Sequence, residues 1–180
     1  MMNTKNFCKA LASVLVMVLV VLGARLALQK PAAAASEKEQ EAVLQFLLPE
    51  SGPFTELAYS GEDASIRRVF QSDKGFVIET EVSGYVDDIR LLVGVSKDGL
   101  VQGITLRDMG ETLGLGTGAL TDYHFLMQFL HTNGNAEVGQ NVDAMTGATV
   151  TSKAIARGVN SAAAYVTGAD VSSGATSWGG

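Results

Sequence analysis

Apolar residues are spaced in three ways along this chain, and each spacing predicts a different element. The first is an unbroken run. Ala10 to Leu28 is almost wholly apolar, with Arg25 as its one charge, and its length is close to the roughly 20 residues a helix needs to span a bilayer. The second is helical. Ser36-Glu37-Lys38-Glu39 reads as a capping box, and Val43, Leu44, Leu47 and Leu48 give the following helix an apolar side before Pro49 ends it. Near the other end, Ile155, Val159, Ala162 and Val166 make one stripe over Val150 to Val166. A shorter helix is predicted from Asp122 to Leu130, where Phe125 and Phe129, and Leu126 and Leu130, pair at i,i+4.

The third spacing is that of strands. After a loop rich in turn formers, Glu50 to Ser65, come Arg67 to Gln71 and Phe76 to Val82, separated by Ser72-Asp73-Lys74-Gly75. Then come Ile89 to Ser96 and Leu100 to Leu106, separated by Lys97-Asp98-Gly99, a stronger hairpin signal. About four antiparallel strands and no long parallel crossover predict an α+β fold: a small antiparallel sheet packed by helices, preceded by a transmembrane helix. The expected divisions are 1–30 for the membrane anchor, 31–168 for one domain and 169–180 for a flexible Gly/Ser tail.

Charge sharpens this picture. The chain has 180 residues, is 47% hydrophobic and carries a net charge of −6. Residues 1–35 hold Lys5, Lys9, Arg25 and Lys30 and no acid, which leaves 9 basic and 19 acidic residues, a net −10, for the rest. An acidic domain on a basic, apolar stem argues against nucleic-acid partners and against the domain lying flat on anionic lipid. Lys5 and Lys9 mark the cytoplasmic side, although Arg25 and Lys30 after the run weaken that signal. A cleaved signal peptide is the alternative, since Ala33-Ala34-Ala35 resembles a cleavage site. The charged segment between Leu22 and the alanines is long for a signal peptide and favours a retained anchor. Both readings put everything after residue 35 outside the cytoplasm. Cys8 is the only cysteine, so no intramolecular disulfide and no C-x-x-C pair exists. His124 and His131 have no acidic partner at a ligand spacing, so no metal site is expected.

The chemistry gathers at Asp143-Ala144-Met145-Thr146-Gly147-Ala148-Thr149, a small-residue turn that runs into the last helix. A helix N-terminus offers unpaired amides and the positive end of the dipole, which favour an anion and a phosphate above all. Gly147 and Ala148 leave the backbone bare for a close approach. Thr146, Thr149, Thr151 and Ser152 surround the point with hydroxyls, and Lys153 and Arg157 bring positive charge within two turns. Taken alone, the same hydroxyls also suit an ordinary N-cap, and local chemistry leaves both readings open. A second informative stretch is Glu111-Thr112-Leu113-Gly114-Leu115-Gly116, whose glycines can bring backbone close to a planar ligand, or simply make a mobile loop. No G-x-G-x-x-G dinucleotide fingerprint is present.

Asp143 to Thr149 resembles the D-x-x-(S/T)-G-A-T signature of the FMN-binding domain family, and Thr151-Ser152-Lys153-Ala154 resembles its continuation. That family includes the G subunits of Rnf electron transport complexes and the C subunits of sodium-pumping quinone reductases. The Glu111 stretch resembles the family's E-T-P-G-L-G segment, close to the flavin, with Leu113 in place of proline. Gly84-Tyr85-Val86-Asp87-Asp88-Ile89 resembles its G-Y-x-G-x-I segment, with Asp87 and Asp88 in place of small residues. The resemblance implies FMN held by a phosphoester on Thr149. Its site would include Asp143, Thr146, Gly147, Ala148, Thr151, Ser152 and Lys153, with Glu111, Thr112, Gly114, Leu115 and Gly116 near the flavin.

The implied protein is a membrane-anchored, extracytoplasmic flavoprotein that passes electrons within an ion-translocating complex of the Rnf type. Its partners would be the membrane subunits, the lipid bilayer and a separate Mg-dependent flavin transferase that uses FAD as donor. No activating His or Lys–Ser pair is evident beside Thr149, so self-catalysed attachment is not expected. A stand-alone extracytoplasmic carrier serving an extracellular reductase, and an anchored binding or sensing module without redox chemistry, are the alternatives. Asp170-Val171-Ser172-Ser173-Gly174-Ala175-Thr176 repeats the signature, which makes Thr176 a candidate second attachment point. Only Ser177-Trp178-Gly179-Gly180 follow it, too few to build a helix behind a phosphate.

Overall fold

The computed structural model describes residue 17 and residues 37–109 and 123–169. The apolar run 10–28 (residue 17 apart), the capping Ser36, the 111–116 loop and the tail with Thr176 lie outside the described residues. Among the described residues no helix is long and apolar enough to cross a membrane. The chain divides after Ala42 into two units, and the second, Val43–Gly180, holds the sheet.

Five strands follow one another in chain order: β1 (Thr55–Leu57), β2 (Ile66–Gln71), β3 (Gly75–Ser83), β4 (Asp88–Ser96) and β5 (Val101–Met109). Each pairs antiparallel with the next, so the sheet is a meander with the spatial order of the sequence. The two expected hairpin turns are present. The Ser72 amide donates to the Gly75 carbonyl at 2.9 Å, and the Ser96 amide to that of Leu100 at 2.9 Å. The fifth strand, β1, lies in the stretch expected to be loop. It has three mostly exposed residues and therefore no apolar run to reveal it. What orders it is the free edge of β2 and a forked ion pair from Arg68 to Glu56, at 2.8 and 2.7 Å.

The middle of the sheet is covered on both faces, and the pleat sorts neighbouring residues between them. Val77 and Leu92 turn to one side, where they meet Leu44, Leu47, Leu48 and Phe70. Those leucines come from the end of helix α1, residues 37–47, and the turn after it. Ile78, Leu91 and Val93 turn to the other side and form the larger core with Phe125, Phe129, Ile155 and Val159. Each such side chain, fully buried, stabilises the fold by roughly 1.5–3 kcal/mol.

Two helices serve the larger core. The first, α2 (Tyr123–Met127), is shorter than expected. Beyond it the bonds tighten to i→i+3, from Gln128 to Phe125 and onward to Thr132. The reason is tertiary: the His131 amide donates to the Val101 carbonyl and the Val101 amide to that of Thr132, which ties the segment to the start of β5. Phe125 and Phe129 keep the anticipated contact, edge to face at 5.2 Å.

The second, α3 (Thr149–Thr167), lies across β3 and β4. Its expected stripe is buried at Ile155, Val159 and Ala162, but burial runs further round the helix through Ala154, Ala156, Asn160 and Ala163. Gly158 lets the helix come this close. A Cβ there would lie 2.8 Å from Leu91 Cδ1 and 2.9 Å from Thr80 Oγ1. On another side, buried Asn160 pairs with the backbone of Ala136. It accepts from the Ala136 amide at 3.0 Å and donates to the Ala136 carbonyl at 2.8 Å, as a neighbouring strand would. The loop leading to the Asp143 motif is thereby fastened to the helix that follows the motif.

Candidate functional site

The motif begins where that loop ends. The Asp143 amide donates to Gln128 Oε1 at 2.7 Å, and Gln128 Nε2 reaches the Asp143 carbonyl at 3.5 Å. One side chain just after α2 therefore grips the backbone of the motif's first residue. Met145 to Ala148 then forms a β-turn closed by the Ala148 amide on the Met145 carbonyl at 3.0 Å. Gly147, third in the turn, has φ 80°, a conformation that disfavours any side chain. A Cβ at Gly147 would meet nothing within 4 Å, so geometry and not crowding calls for glycine.

Ser152 holds the turn from beneath. It is fully buried; its hydroxyl donates to the Ala148 carbonyl at 2.9 Å and accepts from the Met145 amide at 3.3 Å. The hydroxyl thus serves the motif's own backbone. α3 starts at Thr149 with Ala148 as its N-cap, no side chain makes the capping hydrogen bond, and no acid lies in the first turn. Of the two readings that the sequence left open, the ordinary hydroxyl cap is not the one α3 uses. The first-turn amides keep their donors, and the dipole meets no carboxylate of the helix.

Those amides border a cleft of about 310 Å³, lined by Gly147, Ala148, Thr149, Val150, Thr151 and Tyr85. Thr146, Thr149 and Lys153 are exposed and Thr151 is buried. Asp143 is exposed as well. Tyr85 arrives from the turn between β3 and β4, where the Gly84 amide donates to the Asp87 carbonyl at 3.0 Å and Ser83 Oγ to Asp88 Oδ1 at 3.0 Å. Arg157, two turns into α3, donates through Nη2 to the Ser83 carbonyl at 3.0 Å. Its charge therefore anchors the β3–β4 turn to the helix.

Two of the three motif segments found in the sequence, around Gly84 and Asp143, thus line one cleft. The third, with Glu111, Thr112, Gly114, Leu115 and Gly116, lies outside the described residues. Gln128 and Arg157 hold these segments in place. Neither tie has a sequence signal, because a side chain that bonds a distant backbone leaves no periodic trace.

Residues 84–164 match the FMN-binding domain family, a stretch that starts at the Tyr85 turn and ends within α3, so that it takes in both walls of the cleft. Over that stretch the chain matches this family. Among its relatives, the G subunit of the Na(+)-translocating ferredoxin:NAD(+) oxidoreductase complex of Acetobacterium woodii is 36% identical over 95 residues, covering 48% of this chain and 46% of that protein. The G subunit of the proton-translocating ferredoxin:NAD(+) oxidoreductase complex of Clostridium ljungdahlii is 39% identical over 99 residues, covering 51% and 53%. The chain spans about half the length of these curated relatives. NqrC of Shewanella oneidensis aligns in three dimensions with a TM-score of 0.44 and 22% identity, over 68% of this chain and 72% of that one.

The site suits the phosphate end of a flavin mononucleotide. It combines an uncapped helix terminus, a bare glycine at the turn, an exposed threonine hydroxyl at the first helical position and an exposed lysine one turn on.

Proposed function

We propose that this chain is an electron-transfer flavoprotein of an ion-translocating membrane complex of the Rnf type, with FMN carried on Thr149 through a phosphoester. The observation that carries the reading is the start of α3. Thr149 presents its hydroxyl at an uncapped helix N-terminus that opens on a cleft. A phosphate esterified to that oxygen would lie beside the amides of Thr149, Val150 and Thr151 and at the positive end of the helix dipole. Lys153 adds positive charge at the exposed rim.

In the attachment step Thr149 Oγ1 attacks the FMN-side phosphorus of FAD on a flavin transferase. The new bond joins oxygen and phosphorus, the pyrophosphate bond breaks, AMP leaves, and the hydroxyl proton passes to a base of the transferase. Thr149 is a substrate here, and Asp143, exposed and gripped through its backbone by Gln128, is part of what the transferase reads. A tether keeps the cofactor at high effective concentration whatever its noncovalent affinity. It is an advantage outside the cytoplasm, where lost FMN has no local replacement. Bound flavin supplies one- and two-electron chemistry, and the protein's share is to orient the ring and tune its surroundings. The run 10–28 is the anchor in this reading, and the domain works on the extracytoplasmic side beside the membrane partners.

The test is intact mass of the full chain coexpressed with a flavin transferase, followed by peptide mapping. The expected result is one FMN on the Thr149 peptide and none on Thr149→Ala protein. Covalent flavin at unchanged stoichiometry in Thr149→Ala overturns the assignment, and mapping to Thr176 moves it to the tail.

A further inference from the structure

The cleft has two unlike walls. Its helix wall is built for an anion: first-turn amides of α3, the Thr149 hydroxyl and the bare Gly147. Its other wall is Tyr85, an aromatic ring that is 65% exposed beside Val86, itself 53% exposed. Large aromatic rings are normally buried, because they hold much of a fold's apolar area. Tyr85 instead stands at the tip of a turn that three contacts make firm: the Gly84–Asp87 backbone bond, the Ser83–Asp88 bond and the Arg157 tie to Ser83. The last of these fixes the turn to α3 itself, so the ring's base is set relative to Thr149 before any ligand arrives. Preorganisation of this kind lowers the ordering cost of binding.

We propose that Tyr85 packs its phenol ring against the isoalloxazine of a flavin tethered at Thr149, covering one face of the ring system and leaving the rest for exchange of electrons with a partner. The inference rests on the attachment at Thr149 and adds the residue that positions the redox end. An anion-binding side and an aromatic side in one cleft suit a ligand with a phosphate at one end and a planar ring at the other. Tyrosine offers such a ring an offset or edge contact. Tyr85 belongs to the β3–β4 turn and Thr149 to the helix, so the contact would also tie the flavin's two ends to the two layers of the domain.

Flavin fluorescence tests this, because a tyrosine or tryptophan ring in contact with isoalloxazine quenches it. The full chain is coexpressed with a flavin transferase as wild type, Tyr85→Leu and Tyr85→Trp. Emission is read per covalent flavin, with loading at Thr149 fixed by peptide mass. The expected result is weak emission from wild type and Tyr85→Trp, and a several-fold rise in Tyr85→Leu at equal loading. Because Tyr85 is exposed, leucine there leaves the core untouched, and unchanged thermal unfolding of the flavin-free variant checks this. Equal emission from wild type and Tyr85→Leu, both loaded at Thr149, overturns the Tyr85 contact and leaves the attachment standing. Absence of flavin from the Thr149 peptide of the wild type overturns both.

Discussion

Thr80 sits on the face of β3 that α3 covers, fully buried, and its Oγ1 has no hydrogen-bond partner among the described residues. A buried hydroxyl left unpaired costs roughly 1–3 kcal/mol. Asn160 is the opposite case: also buried, it satisfies both ends of its amide on Ala136. Both residues border α3, yet Asn160 fastens a loop to it and Thr80, on the sheet side, leaves an uncompensated polar atom. Replacing a hydroxyl by a methyl of similar shape removes that penalty, provided no hidden partner is lost. Thr80→Val is therefore expected to raise stability by about 1 kcal/mol, read as a higher urea midpoint at unchanged slope. A lower midpoint would show that the hydroxyl has a partner, a bound water for example, and that the seam is wetter than this packing implies.

At the scale of the element, α3 both carries the site and closes the core, and Gly158 is where the two duties meet. Alanine at a helix interior gains about 1 kcal/mol over glycine by propensity. At Gly158 its Cβ would lie 2.9 Å from Thr80 Oγ1, on a β-branched and fully buried side chain, and 2.8 Å from Leu91 Cδ1. Overpacking typically costs roughly 1–3 kcal/mol, so the clash is expected to win and Gly158→Ala to lower stability by about 1 kcal/mol. A melt that shows a gain instead would mean that α3 can lift off the sheet, and with it the Thr149 wall of the cleft. Much of this element was legible in the sequence, since Ile155, Val159 and Ala162 announce the buried face by spacing alone. The hairpins were legible for a similar reason, because Lys97-Asp98-Gly99 punctuates two apolar runs. The elements that escaped are those without local pattern: β1, made by pairing with β2, and the second half of the segment after Asp122, tightened by its ties to Val101. At the site, motif spelling pointed to Thr149 and its neighbours. That Tyr85 would line the same cleft, and that Gln128 would grip Asp143, depended on how the meander and α3 come together. No periodicity encodes that.

Over the whole molecule the notable feature is how the arginines are used. The part after residue 35 carries 9 basic and 19 acidic residues, yet four arginines are engaged on the sheet. Arg68 forks onto Glu56, Arg107 reaches Glu79 at 3.1 Å, and Arg67 and Arg90 hold Glu81 between them. Glu79 is buried and Glu81 largely so, but the arginines reach them from solvent, and pairs open to water contribute roughly 0–1 kcal/mol each, so their main effect is on the register of neighbouring strands and on the response to acid. Hydrogen bonds from Arg90, then Arg67, hold the Glu81 carboxyl below its ordinary 4.5, and Arg68 does the same for Glu56. A carboxyl depressed in the folded state stabilises the fold above its unfolded value, and that contribution is lost as pH falls through the folded one. Stability from Glu81 is thus full above about 4.5 and fades below it. Acid also relieves the repulsion among the excess carboxylates, which acts in the other direction, so the wild-type curve alone mixes two effects. Glu81→Gln separates them, because the general repulsion is nearly common to both proteins. The gap in urea stability between wild type and Glu81→Gln is expected to be open at neutral pH and to close as pH drops below about 4.5. A gap of constant size across that range would mean that Glu81 acts through packing and not through its charge, and the arginines around it would then be a solvated face with no hold on the sheet's register.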